Sequence, residues 1–325
     1  MKYGLLRNAC AACACLLAIG TIGTQAWSQG YPERPVTLIV PWPAGGSADI
    51  VLRALAESMS KHLGQRVIVE NKPGAAGTVG PAYMARNSRP DGYTISQMPI
   101  TVYRLPYMEK VNYDPISDFT SIIGITRYSY GTVVRADAPW KTWQELGTYA
   151  RANPDKITYG SPGTGSTLHI AMEEFSARNG IKWLHVPFKG LADNLTSLMG
   201  GHISASADSS GWAEMVNAGK LRLLVTWGDV RLKRWPTVPT VKELGHASVA
   251  ADSPYGIAGP KGMDPAIVKI LHDAIRKAID EPVYLAALDR FDQPRWYRST
   301  EEYAKYARDI YPKQKALVDL VMPKQ

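Results

Sequence analysis

The sequence predicts an α/β protein of two lobes facing one another across a cleft. Strand-like and helix-like segments alternate along the chain, which argues for mostly parallel sheets. A Gly-rich turn between a strand and a helix occurs twice, at residues 41–49 and again at residues 161–169, once in each half. A late strand-like piece, Tyr255-Gly256-Ile257-Ala258-Gly259-Pro260, then marks a return towards the first half.

Taken in order, Val36-Thr37-Leu38-Ile39-Val40 has the β-branched makeup of a buried parallel strand. Val51, Leu55, Met59 and Leu63 recur every four residues and predict an amphipathic helix, with Ser47 or Asp49 available to cap its start. Between them lies Pro41-Trp42-Pro43-Ala44-Gly45-Gly46-Ser47-Ala48-Asp49. The first N–H groups of a helix lack intrahelical partners, and glycines without Cβ let an anion approach them. A turn that needs glycine for its geometry alone has the same composition. Arg66-Val67-Ile68-Val69-Glu70 predicts a second strand, residues 80–86 a helix, and Tyr93-Thr94-Ile95-Ser96 a third strand. Residues 99–115 read as a long irregular loop, a kind that is often functional. Strands are expected across residues 122–135, and Thr142 with Glu145 forms a capping-box pattern.

A second α/β set follows: a strand at residues 157–160, then Ser161-Pro162-Gly163-Thr164-Gly165-Ser166-Thr167-Leu168-His169, which repeats the anion-cradle pattern with hydroxyl donors added. Further strands are expected at residues 183–186, 203–205 and 221–227. The returning piece at residues 255–260 is expected beside Gly131-Thr132-Val133-Val134, with hinges at residues 127–134 and 253–259. Ile267, Ile270, Leu271, Ala274, Ile275 and Ala278 keep helix spacing, and residues 301–316 predict a closing helix.

Lys2 and Arg7 precede an apolar run to about Gly23, and Thr24-Gln25-Ala26 suits signal peptidase, so residues 1–26 read as a secretory leader and the mature protein as periplasmic. All three cysteines, Cys10, Cys13 and Cys15, fall inside it without a convincing lipobox, leaving a mature chain that must rely on its core. The formal charge of +8 becomes +6 once Lys2 and Arg7 are removed. That balance favours anions. The basic residues are spread out, without the clustered stripe of a nucleic-acid binder, and no membrane-surface binding is indicated.

At this point several segments carry a resemblance. The segment at residues 41–49, Val69-Glu70-Asn71-Lys72-Pro73-Gly74-Ala75-Ala76-Gly77, Pro90-Asp91-Gly92-Tyr93-Thr94, Val186-Pro187-Phe188-Lys189-Gly190, Gly200-Gly201-His202-Ile203, Gly219-Lys220-Leu221-Arg222 and Val238-Pro239-Thr240 are similar to the Bug family, the solute-binding receptors of tripartite tricarboxylate transporters. The similarity runs in order through the mature chain. It implies a two-lobed Venus-flytrap (type II) periplasmic binding protein, with residues 27–126 and 251–325 in one lobe and 127–250 in the other. It also implies a non-catalytic receptor that presents a small carboxylate to membrane transporter subunits; with no His-Glu-x-x-His or Cys/His cluster in the sequence to hold a metal, neither metal nor cofactor is expected, and a monomer is expected.

The same resemblance places the ligand carboxylate against Ala44, Gly45, Gly46 and Ser47, with Gly165, Ser166 and Thr167 opposite. Asp208 matches an acidic position near the family cleft; it equally reads as a cap for the helix that follows. His169 and Lys189 are further polar candidates, His169 reading also as helix packing. Two positions depart from the pattern: Arg104 stands where many relatives have an uncharged Asn, and Trp42 where Phe is common. A guanidinium can hold a carboxylate by two parallel bonds, so Arg104 would take the far end of a dicarboxylate, unless it is a solvated or structural arginine. Trp42 and Tyr103 offer flat surface for a ring, which brings in terephthalate beside aliphatic di- and tricarboxylates. Two other classes remain open. Ser166 and His169 lie one helical turn apart, as a hydrolase would need, although neither a Gly-x-Ser-x-Gly elbow nor a phosphate loop is present. A sensory accessory protein would use the same cleft with a different partner.

Overall fold

The computed structural model describes residues 30–249 and 251–321; the expected leader, 1–26, lies outside the described residues. Strands β1 (Val36–Val40), β2 (Val67–Asn71) and β3 (Thr94–Met98) pair in parallel, as their apolar β-branched content predicts. They join β4 (Phe119–Arg127), and later β10 (Pro254–Pro260) and β11 (Arg295–Arg298), in a six-stranded sheet of order β11-β4-β10-β3-β1-β2. The second sheet has five strands: β5 (Tyr130–Arg135), β6 (Thr158–Ser161), β7 (Leu184–Pro187), β8 (Ala205–Ser209) and β9 (Leu221–Thr226), in the order β7-β6-β8-β5-β9.

Helix α1 (Ser47–Leu63) buries Val51, Leu52, Leu55, Met59 and Leu63 on one face and ends at Gly64, whose φ of +73° supplies the left-handed stop. α2 (Val79–Asn87) covers the same sheet. Thr142 caps α4 (Trp143–Ala152), accepting the Glu145 N–H at 3.1 Å, while the Glu145 carboxylate takes the Lys141 N–H one residue earlier than in a regular capping box. Trp143, Phe175, Trp183 and Trp227 pack ring against ring between α4, α5 (Thr167–Asn179) and the second sheet.

The chain crosses between the sheets at Arg127–Tyr130, and returns between Thr226 and Pro254. Tyr128 N–H donates to the Ser253 carbonyl at 3.2 Å, so the two crossings run side by side. The return strand corrects one expectation. β10 does not lie beside residues 131–134; it is inserted antiparallel between β3 and β4, because both edges of β5 are already taken by β8 and β9. Gly256 permits that insertion, since a Cβ there would stand 2.2 Å from the Ile123 carbonyl. Residues 99–115 are not wholly irregular either: α3 (Thr101–Arg104) and a 3₁₀ turn at Leu105–Tyr107 bury Val102, Tyr103 and Leu105. The strand expected at residues 203–205 starts at Ala205 and extends to Ser209. α6 (Leu191–Met199), α7 (Ala213–Asn217), α8 (Pro265–Ala278), α9 (Pro282–Arg290) and α10 (Thr300–Val321) are the remaining helices among the described residues; the strand β11 is unanticipated, since the chain after residue 260 reads as helical.

Candidate functional site

The first cleft loop is shaped by one carboxylate. Gly45 has φ +83°, a conformation that L side chains rarely adopt, and its N–H turns inward to Asp49 Oδ2 at 2.9 Å. Asp49 also accepts Arg53 Nε at 2.9 Å and Asn71 Nδ2 at 2.8 Å. Burial opposes its charge, but bonds from Arg53, Asn71 and the Gly45 N–H hold its pKa below the usual carboxylate range. Asp49 is therefore a brace beneath the loop. Asp49→Ala should destabilise the fold by about 1.5–3 kcal/mol, read by urea unfolding, and loosen ligand binding with it.

With the Gly45 N–H spent, the open donors move one residue along. Gly46 is the N-cap of α1 in extended conformation (φ −75°), with no side-chain cap bond. The N–H groups of Gly46, Ser47 and Ala48 meet no acceptor among the described residues. Ala44 and Gly45 are exposed and lie outside the cavity that these groups face.

That cavity, about 40 Å³, has a second helix start on its far side. α6 begins after Gly190, again without a side-chain cap bond, and Gly190, Leu191 and Ala192 line the cavity opposite Gly46, Ser47 and Ala48. Trp42, Tyr128 and Tyr130 form walls, and Pro43, Asp208, Ser209 and Pro162 of the second Gly-rich loop complete the lining. The lobes are closed upon one another here. Ser47 Oγ and Ser209 Oγ are 3.0 Å apart across the cleft, and a Cβ at Gly190 would stand 2.6 Å from Pro43 Cδ. Gly190→Val should wedge the lobes apart, giving a larger radius of gyration in scattering and weaker binding of any ligand that needs closure.

The second Gly-rich loop sits differently from expectation. Gly165 N–H donates to His169 Nδ1 at 3.1 Å, Ser166 N–H to the Gly163 carbonyl at 3.1 Å, and Ser166 Oγ caps α5 by accepting the His169 N–H at 3.3 Å. These donors are satisfied within the loop, and neither Gly165, Ser166 nor Thr167 lines the small cavity. His169 is buried beneath the loop, its ring 4.1 Å from that of His185, and burial followed by the nearby Arg104 charge lowers its pKa to about 4. It supports the loop as a neutral acceptor. Lys189 and Thr164 lie in an outer part of the cleft, about 750 Å³, with Tyr107 and Phe188.

Arg104 is enclosed, 2 % exposed, between the lobes. Its Nε donates to Gln314 Oε1 at 2.8 Å on α10, and Nη1 to the Gly165 carbonyl at 2.9 Å. The two-bond clamp expected of it is thereby reduced, because only Nη2 has no partner among the described residues. No carboxylate pairs with it among those residues either; burial lowers its pKa to about 10. Asp208 does not cap a helix. It is the penultimate residue of β8, accepts its neighbour Ser209's N–H at 2.7 Å and Asn194 Nδ2 at 3.0 Å, and burial raises its pKa to about 6 against those bonds.

Sequence reasoning missed Tyr128, Tyr130, Leu191, Ala192 and Ser209. A signal for α6 was present: Gly190 follows a strand, and Leu191, Leu195 and Leu198 keep helix spacing.

The geometry, an enclosed interlobe cavity lined by two helix starts, agrees with comparison to known proteins. Residues 51–321 match the tripartite tricarboxylate transporter family receptor (TctC) profile. The chain is 46 % identical over 318 residues, 98 % of this chain and 97 % of the other, to the UPF0065 protein in the gbd 5′ region of Cupriavidus necator. Its fold is similar to the structure of the periplasmic binding protein BugD, with TM-score 0.85 and 29 % identity over 89 % of this chain and 98 % of that one. It is similar also to an R. palustris protein solved with adipate, with TM-score 0.84 and 26 % identity over 90 % and 98 % of the two chains. The chain belongs to the tripartite tricarboxylate transporter receptor family, the solute-binding family of the Bug proteins.

Proposed function

We propose that this chain is an extracytoplasmic receptor that closes around a small organic carboxylate and hands it, chemically unchanged, to the membrane subunits of a tripartite transporter. The observation that carries the reading is the meeting of two helix N-termini without side-chain caps, at Gly46 and Gly190, over one cavity. Free N–H groups and the positive ends of two helix dipoles favour an anion. The family and the adipate-bound relative point the same way. The lobes are proposed as residues 27–126 with 251–325, and residues 127–250, opening about the paired crossings near Tyr128 and Ser253. Among the described residues no helix is long and apolar enough to cross a membrane, and periplasmic export through the leader at residues 1–26 is part of the proposal, as is a monomeric state.

A dicarboxylate is the finer reading. Arg104 is a buried guanidinium with no carboxylate partner among the described residues, and a buried unpaired charge is costly until an anion arrives. Its free Nη2 is the arm left for the ligand's far end. Aromatic dicarboxylates such as terephthalate would use the Trp42 wall; aliphatic ones need only the two charged ends. A thermal-shift panel of mono-, di- and aromatic carboxylates tests this. A true ligand at a hundred times its dissociation constant should add about 2.7 kcal/mol. No stabilisation by any carboxylate, or turnover of a bound one, would overturn it.

A further inference from the structure

Asp208 presents a problem for an anion site. Its carboxyl is enclosed on the wall of the same cavity as Gly46 and Ser47. Its three hydrogen-bond donors among the described residues are neutral: Asn194 Nδ2, the Ser209 N–H, and Ser209 Oγ at 3.3 Å. From Asp208 the hydroxyls of Ser209 and Ser47 form a line to the start of α1, where the reading above places the ligand.

Among the described residues, the charged and titratable groups on the surrounding elements leave it without a cation partner. Tyr128 and Tyr130 stay protonated because burial raises their pKa values. On α5, His169 is neutral; on β7, His185 is also kept neutral by burial and bonds Ser161 Oγ. Asp49 on α1 is tied to Arg53, Glu214 on α7 pairs with Arg290, and Asp193 on α6 is exposed. Arg104 is turned to Gly165 and Gln314.

Two carboxylates enclosed side by side without a cation cannot both stay ionised. We propose, building on the carboxylate reading, that the cleft captures its ligand together with one proton, taken from solvent and held between the Asp208 carboxyl and a ligand carboxylate oxygen. The protonated carboxyl then donates to the anion that it would otherwise repel. Burial already brings Asp208 to about 6, and a ligand carboxylate beside it moves it higher. The sign follows. Above that pH the free acid is ionised and must gain a proton on binding, so affinity falls as pH rises; below it the acid already carries the proton and the slope vanishes.

Calorimetry of the chain without its leader, titrated with adipate and with malate from about pH 6.5 to 8.5, should show affinity falling by up to about tenfold per pH unit. Repeated at one pH in two buffers of different ionisation enthalpy, it should show uptake of close to one proton per ligand. In Asp208→Asn both the slope and the uptake should disappear. Binding of either probe with flat affinity and no proton uptake overturns the proposal while leaving the carboxylate reading intact. Binding of neither probe at any pH counts against the carboxylate reading itself. Should the Asn variant fail to fold, the proton count on the parent protein decides.

Discussion

Gly46→Val should abolish binding of every carboxylate together, a loss of more than about a hundredfold, or roughly 3 kcal/mol, in calorimetry. The backbone tolerates the change. Gly46 has an extended conformation open to any residue, and a Cβ there would lie 3.7 Å from the Pro43 carbonyl, an ordinary contact. The valine methyls would instead occupy the cavity in front of the Gly46, Ser47 and Ala48 N–H groups. Unfolding in urea should therefore move little while binding vanishes. Gly45→Val is the opposite case: its φ of +83° makes a side chain strained, at about 1–2 kcal/mol, although Gly45 points away from the cavity. Measuring both variants separates a filled site from a damaged turn.

Arg104→Ala should discriminate between ligands. If Nη2 meets the far carboxylate, terephthalate should weaken by about 1.5–3 kcal/mol more than benzoate, provided the parent protein binds both. The variant also removes the bonds to Gln314 and the Gly165 carbonyl, so a common loss shared by the two ligands, and some loss of stability, are expected on top. Gln314→Leu supplies the control, because it cuts one of those structural bonds without touching Nη2. Equal losses for terephthalate and benzoate in the Arg104 variant would make Arg104 a structural bridge between lobes and remove the main support for a dicarboxylate.

Much of this architecture is written locally in the chain. The runs at Val36–Val40 and Leu221–Thr226 have the short length and apolar or β-branched content of a buried strand, and α1 and α8 show their buried faces at helix spacing. What sequence could not give was pairing. Whether Tyr255 to Pro260 lies beside β5 or between β3 and β4 depends on which sheet edge is free, a non-local property. The site divides along the same line. The start of α1 was legible because glycine, hydroxyl and helix pattern adjoin in sequence, but which of its N–H groups stays open was decided by Asp49 reaching back to Gly45. In residues 161–169, of similar composition, the Gly165 and Ser166 N–H groups are taken by His169 Nδ1 and the Gly163 carbonyl, and the helix start that lines the small cavity is α6. Composition proposes a cradle; hydrogen-bond accounting decides whether it is empty.

The central claim is that one ligand carboxylate sits between the N-termini of α1 and α6. The most direct test is a crystal structure of the chain without its leader, soaked or grown with adipate. The account predicts a carboxylate group with oxygens at about 3 Å from N–H groups of residues 46–48 on one side and 190–192 on the other, directly or through one bridging water. Adipate bound in the outer part of the cleft beside Lys189 and Tyr107, with the space between Gly46 and Gly190 filled by solvent alone, would contradict it.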